Sequence, residues 1–341
     1  PDANLKAYLV ANYDDDFDGE ISIAESENIT NVNCSGKGVA QLDGLDYCVN
    51  LQVLDCSNNS IASIVLPGLE KLTTIKCFGN PISEIDLSNC TALEHFYLQA
   101  VDTDAFQDNF RVKGYTQATS LKLNLSNTSM RNANIDESTI LKSIDVSSFQ
   151  TLSGISTNKN PELVEVRLPS CAKDVYASNC PKLTGINVFT CQNLRKLSVM
   201  SSGLNSLDVT NNAELTDIYV EGNKLTALDV THNPKLVKLT AQQNQIPSVN
   251  VTNCPALTHL DMGDNKLSAI NVRNNPLLET LSVAGNADIT ILNVEKNTML
   301  KSLNASGTGI TDIDLAANKA LIDLNVSSTS LATSSRQPSM S

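Results

Sequence analysis

The sequence predicts a β-rich solenoid, a right-handed superhelix of about thirteen turns closed at its front by a small helical cap. Apolar residues recur with a fixed period, each period divides into two similar halves, and a stretch of different character precedes the first turn. Stacked turns of this kind share one elongated core, so 341 residues need not split into average-sized domains. The expected organisation is a cap over 1–28, a solenoid over 29–331 with an insertion loop at about 100–117, and a Ser-rich tail over 332–341.

The cap comes first. "DANLKAYLVANY" reads as a helix that Asp2 can cap, with Leu5, Tyr8 and Leu9 on one side. "DDDFDGEISIAE" then fills the slots of a twelve-residue calcium loop. Asp14, Asp16 and Asp18 stand at positions 1, 3 and 5, Gly19 makes the sharp turn, and Glu25 closes the loop at position 12. Glu20 would offer its carbonyl at position 7, and Ser22 would act at position 9 directly or through water. Carboxylates packed this densely repel one another without a cation, so calcium is the expected cofactor. The exit segment "IAESENI" allows only a turn or two of helix, and a lone loop lacks the paired hand that sensor proteins open. A structural ion fixing the cap is therefore expected, rather than a signalling switch.

The turns follow. Leu194, Leu215, Leu236, Leu257, Leu278, Leu300 and Leu321 recur every 21 or 22 residues, and Leu204, Leu225, Ile246, Leu267, Ile289, Ile310 and Leu331 run between them in the same period. Each half reads L-x-x-L-x-V-x-x-N. Its last two apolar residues alternate with polar ones, the period of a short strand with one face inward. The Asn three residues later (Asn212, Asn223, Asn233, Asn244 and their equivalents) is expected to turn inward, where its amide satisfies backbone groups left unpaired at the bend.

With these halves on the page, in particular "LDVTNNAEL" and "LDVTHNPKL", the chain resembles the leucine-rich-repeat family and, within it, the short-repeat surface proteins of bacteria that include the internalins. The resemblance covers roughly residues 29 to 331. It implies a leucine-rich-repeat solenoid with an EF-hand-like cap at the front, a secreted or surface location on a bacterium, and a protein partner bound on the strand face.

The outward residues of the first half-repeat would form that face. Lys76, Phe78, His95, Tyr97, Tyr176, Met200, Tyr219 and Glu221 are the candidates, with aromatic groups in the front and middle turns. One break in the period adds about 17 residues between Leu93 and Ser120, with Phe106, Phe110, Arg111 and Tyr115. It reads either as a functional loop at the rim of the face or as a local brace packed on the solenoid. The opposite edge carries a ladder from Asp86 and Asp145 through Asp208 and Asp229 to Asp314, read mainly as a hydrogen-bonding feature.

Composition sets the exclusions. A formal charge of −13 and a pI of about 4.6 leave no basic patch for nucleic acid. No apolar run approaches the roughly 18 residues of a membrane helix, and no leader is present, although a start at Pro1 reads as a trimmed, exported form. The nine cysteines need no disulfide framework. Cys34, Cys56 and Cys77 take the inward strand position, Cys90, Cys171, Cys180, Cys191 and Cys254 take the Asn position, and only Cys48 falls outside both classes. No C-x-x-C occurs, His95, His232 and His259 fall in different turns, and no catalytic grouping can be named. The expected function is thus a non-enzymatic protein-binding module; the alternatives are a glycan-binding surface on the same aromatic groups or a structural spacer. A monomer is expected.

Overall fold

The computed structural model describes residues 2–93, 95–98, 109–113, 118–124 and 131–331. The chain divides into two units, residues 1–183 and 184–341.

The first unit opens with helix α1, Ala3–Tyr13, capped by the Asp2 carboxylate, whose Oδ1 accepts the N–H groups of Asn4 (2.9 Å) and Leu5 (3.0 Å). Helix α2, Ile23–Asn28, starts from a capping box between Ser22 and Glu25. Three-residue strands follow. Asn31–Asn33, Val53–Asp55, Thr74–Lys76 and His95–Tyr97 form one parallel ladder. Ser63–Val65, Glu84–Asp86, Ser120–Asn124, Ser143–Asp145 and Glu165–Arg167 form a second, built from the other half of each turn. Asn109–Lys113, Asn132–Asp136, Gly154–Ser156 and Asp174–Tyr176 form a third.

Asn109–Lys113 corrects the reading of 100–117 as an insertion loop. These five residues are a strand, paired in register with Asn132–Asp136. The apolar Phe110 and Val112 alternate with Asn109, Arg111 and Lys113, a strand period that the break in the longer repeat obscured. Phe106 and Tyr115, like the tail 332–341, lie outside the described residues.

The second unit is more regular. Lys196–Ser198, Asp217–Tyr219, Lys238–Thr240, His259–Asp261, Thr280–Ser282, Ser302–Asn304 and Asp323–Asn325 pair in parallel, each with the next. Their central residues point inward and pack on one another: Leu197, Ile218, Leu239, Leu281 and Leu303 are fully buried. Here a second expectation fails, because the other halves, such as 205–209 and 226–230, form no strands. Their apolar residues still face the core, as the burial of Val209 and Val230 shows.

The inward asparagines behave as the repeat requires, in two distinct ways. At the corner after the strand, Asn244 Nδ2 donates to the carbonyls of Val220 (2.9 Å) and Ala241 (3.0 Å), while its Oδ1 accepts the N–H of Leu225 (2.9 Å). Asn80, Asn160, Asn223, Asn265 and Asn286 repeat this arrangement. At the other corner, Asn233 Nδ2 donates to Val209 (3.0 Å) and Asn212 (2.9 Å), but its Oδ1 is buried without a partner, as are those of Asn212, Asn275, Asn297 and Asn318.

That asymmetry accounts for most of the corner cysteines. Cys90, Cys171, Cys191 and Cys254 stand at the second corner, where only a donor is used, and a thiol supplies one. Cys254 Sγ lies 3.5 Å from the Val230 carbonyl and Cys90 Sγ 3.4 Å from that of Leu66. Cys180, at the first corner, is the exception. None of the nine cysteines is in a disulfide. Burial pushes Cys34, Cys48, Cys90, Cys180 and Cys254 up to about 11 and raises Cys56 and Cys77 further, so these groups stay protonated and act as small core residues.

Candidate metal centre and binding face

Residues 1–28 hold eight carboxylates (Asp2, Asp14, Asp15, Asp16, Asp18, Glu20, Glu25 and Glu27) against Lys6, a net −7 of the chain's −13. The acidity is thus concentrated in the cap. Side-chain oxygens of Asp14, Asp16 and Asp18 lie within 4.8 Å of one another.

The loop wraps around this point through its own backbone. Asp14 Oδ2 accepts the N–H of Gly19 (2.9 Å), Asp16 Oδ1 that of Asp18 (3.2 Å), and Asp18 Oδ1 that of Glu20 (2.8 Å). Gly19 sits at φ +86°, a left-handed conformation that a side chain would strain. The second oxygen of Asp14 is buried and has no hydrogen-bond partner. The Asp18 N–H pulls the pKa of Asp16 down, yet desolvation and the charges of Asp18, Glu25 and Asp14 outweigh it and leave this carboxyl above its usual value. An orphaned buried oxygen beside mutually repelling carboxylates fits a hard divalent cation.

The other predicted ligands are placed differently. Glu25 Oε1 accepts the N–H of Asp15 (2.7 Å), and its Oε2 accepts the N–H (2.8 Å) and hydroxyl (2.7 Å) of Ser22. These bonds, the Ser22 N–H foremost, hold the Glu25 carboxyl down at about 2. The hydroxyl of Ser22 is accordingly occupied within the capping box. The Glu20 side chain turns outward to Lys6 Nζ at 2.6 Å, leaving only its carbonyl for the predicted role.

Lys6 was not singled out by the motif, nor were the residues that join the cap to the first turn. The Tyr8 hydroxyl accepts the N–H of Asn33 (3.0 Å), and the Tyr13 hydroxyl donates to the carbonyl of Asn31. Two tyrosines of α1 therefore pair the free edge of the first strand, which otherwise offers a template for unwanted pairing. Asp2 Oδ2 accepts the N–H of Ala40 (2.8 Å), adding a second tie. Spacings of 18 to 38 residues hide these contacts from a local reading of the sequence.

On the strand face, Lys76, Phe78, His95 and Tyr97 of the first unit are half-buried. The rings of His95 and Tyr97 stack at 6.4 Å. Tyr176 is also half-buried in this unit. In the second unit Met200, Tyr219 and Glu221 are half-buried, Lys196 Nζ lies 5.5 Å from the Tyr219 ring centroid, and the Tyr219 hydroxyl donates to Asp217 Oδ1 (3.1 Å). These groups are held surfaces rather than freely projecting ones. Phe110 and Arg111 belong to strand Asn109–Lys113, and their side chains lie outside the described set.

The Asp and Asn ladder of the opposite edge closes local turns. Oδ1 of Asp86, Asp145, Asn187, Asp208, Asp229, Asn250, Asn271, Asn293 and Asp314 each accepts the N–H two residues on.

The geometry can now be compared with known proteins. Residues 49–89 match the family model described as leucine-rich repeats in two copies. The functional domain of InlJ from Listeria monocytogenes, described as including a cysteine ladder, is similar over 97% of this chain and 70% of its own, at 24% identity and a TM-score of 0.58. The fold is a leucine-rich-repeat solenoid. An internalin, InlF, from Listeria monocytogenes is similar over 97% of this chain and 96% of its own, at 22% identity and a TM-score of 0.50. YopM, a leucine-rich effector protein from Yersinia pestis, is similar over 89% of this chain and 84% of its own, at 20% identity and a TM-score of 0.52. No curated protein matches the chain. Among the described residues, no helix of this solenoid is long and apolar enough to cross a membrane.

Proposed function

We propose that this leucine-rich-repeat chain is a non-enzymatic binding module, of internalin type, that presents its strand face to a protein partner at a bacterial surface or after secretion. The observation that carries this reading is the parallel ladder of the second unit, which sets Met200, Tyr219 and Glu221 on a rigid face with Tyr219 fixed at both ring and hydroxyl. Rigid aromatic anchors lose little conformational freedom on binding. The bacterial neighbours support the assignment to this class of solenoid.

The test is capture of partners by the purified chain, followed by Tyr97→Ala and Tyr219→Ala. Each should weaken capture about tenfold with little loss of thermal stability. Unchanged capture by both variants removes the strand face from consideration, and a glycan array run in parallel tests the sugar-binding alternative.

Calcium belongs to the same proposal as a clamp on the cap. Asp14, Asp16 and Asp18 would supply side-chain oxygens and Glu20 its carbonyl, while Ser22 and Glu25 would complete the loop only by giving up the hydrogen bonds they now make to each other and to Asp15. The ion's part is to neutralise the loop and fix α1 and α2 over the first strand. Calorimetric titration of the apo protein with calcium should show one site, lost in Asp14→Asn; no binding at millimolar calcium rejects the clamp.

A further inference from the structure

The partner's charge can be read from one strip of the second unit, an inference that rests on the strand-face reading above. Tyr219, Thr240 and Asp261 stand opposite one another in successive strands. The strand ends beside them, residues 198–202, 219–222, 240–243 and 261–264, contain Met200, Tyr219, Glu221, Asp261 and Asp264 and no Lys, Arg or His. Of the cations of these turns, Lys196, Lys238 and His259 stand at the strand starts, in a column that also holds Asp217, while Arg195, Lys224, His232, Lys235 and Lys266 stand elsewhere in the turns. Charge on this face is therefore divided, with the acidic part beside the aromatic anchor.

The carboxylates of the strip are positioned. Glu221 Oε2 accepts the Thr240 hydroxyl at 2.7 Å, and Asp261 Oδ1 accepts the Gly263 N–H at 2.9 Å. Each keeps one oxygen clear of the bond named. The Tyr219 ring is already faced by the chain's own cation, the Lys196 ammonium at 5.5 Å, so a partner's cation would sit on the carboxylates and an apolar group at this ring.

We infer that the segment seated on this strip is cationic: an extended stretch of a protein partner that places arginine or lysine on Glu221 and on Asp261, with an apolar group between Met200 and Tyr219. The two carboxylates are two turns apart, roughly 10–12 Å at about 4.8 Å per turn, which an extended chain covers in three to four residues. The expected pattern is two basic residues three or four positions apart. Charge complementarity of this kind sets specificity and rate of encounter more than total affinity.

The experiment uses the full chain and two capped octapeptides, one bearing two arginines three positions apart and the other two glutamates at the same places. Fluorescence anisotropy should show the dibasic peptide bound, with affinity falling about three- to tenfold in Glu221→Gln and in Asp261→Asn. It should also fall with salt, since these charges are only partly buried. Equal affinity for the two peptides, or a dibasic affinity unchanged by both substitutions, overturns the inference. Natural partners whose capture depends on Tyr219 but not on Glu221 or Asp261 would overturn it too, while leaving the strand-face reading intact.

Discussion

The two units solve the same problem, joining one turn to the next at its second half, with different chemistry. Among the described residues of the first unit, the corner positions after second-half strands are Leu69, Cys90, Phe149 and Cys171, none of which carries a side-chain amide. There the turns are joined by backbone ladders, with further bonds such as Leu66 N–H to Asp86 C=O (2.8 Å) and Val146 N–H to Arg167 C=O (3.0 Å). In the second unit the equivalent corners are mostly asparagine, and each amide reaches two carbonyls of the preceding turn. The second-half backbone then forms no strand. Inward amides thus tie turns that no second-half ladder joins, though the turns with Cys191 and Cys254 at this corner lack that ladder too, while the first corner, whose asparagine uses donor and acceptor alike, is common to both units.

That difference can be broken most severely in the shared core. Leu303→Ala, at a fully buried position, should cost about 2–5 kcal/mol. Leu324→Ala, in the last described strand where Leu324 is 44% exposed, should cost about half as much or less. Urea denaturation of both variants checks the ratio, and equal costs would mean that the last turn is covered in solution.

The two kinds of corner separate next. Asn244→Ala removes both donor and acceptor and strands buried backbone groups, for roughly 2–3 kcal/mol. Asn233→Cys gives up only an oxygen that has no partner and keeps a donor, so it should stay within about 1 kcal/mol of wild type. Equal losses in chemical denaturation would remove the distinction between the corners.

Calcium should act on the first unit alone. At a free concentration about 100-fold above the dissociation constant, a folded-state site adds roughly 2.7 kcal/mol. Chelation should therefore raise amide exchange in α1, α2 and strand Asn31–Asn33 while leaving strand His259–Asp261 unchanged.

The smallest effect is acid sensitivity of the metal-free cap. Because the Glu25 carboxyl is held at about 2, below its unfolded value near 4.5, its contribution is complete above about pH 4.5 and disappears as pH falls toward 2. Asp16, shifted upward, works in the opposite sense: its contribution is present at low pH and is lost as pH rises through its raised value. Exchange in α2 followed from pH 6 to 2.5 should show the Glu25 loss, and Glu25→Gln should abolish that dependence.

By itself the sequence determined whatever repeats locally. The 21- or 22-residue period placed the core leucines, the inward strand cysteines Cys34, Cys56 and Cys77, and the corner asparagines, because a solenoid turns a one-dimensional pattern directly into one buried column. It also placed Asp14, Asp16 and Asp18 together, since one short loop supplies all of them. Only the tertiary structure decided which corners leave an amide oxygen without a partner, which halves become strands, and how Tyr8 and Tyr13 close the first strand edge. Each of those outcomes depends on a donor or acceptor in a neighbouring turn or in the cap, and hydrogen bonds across such distances leave no local period to read.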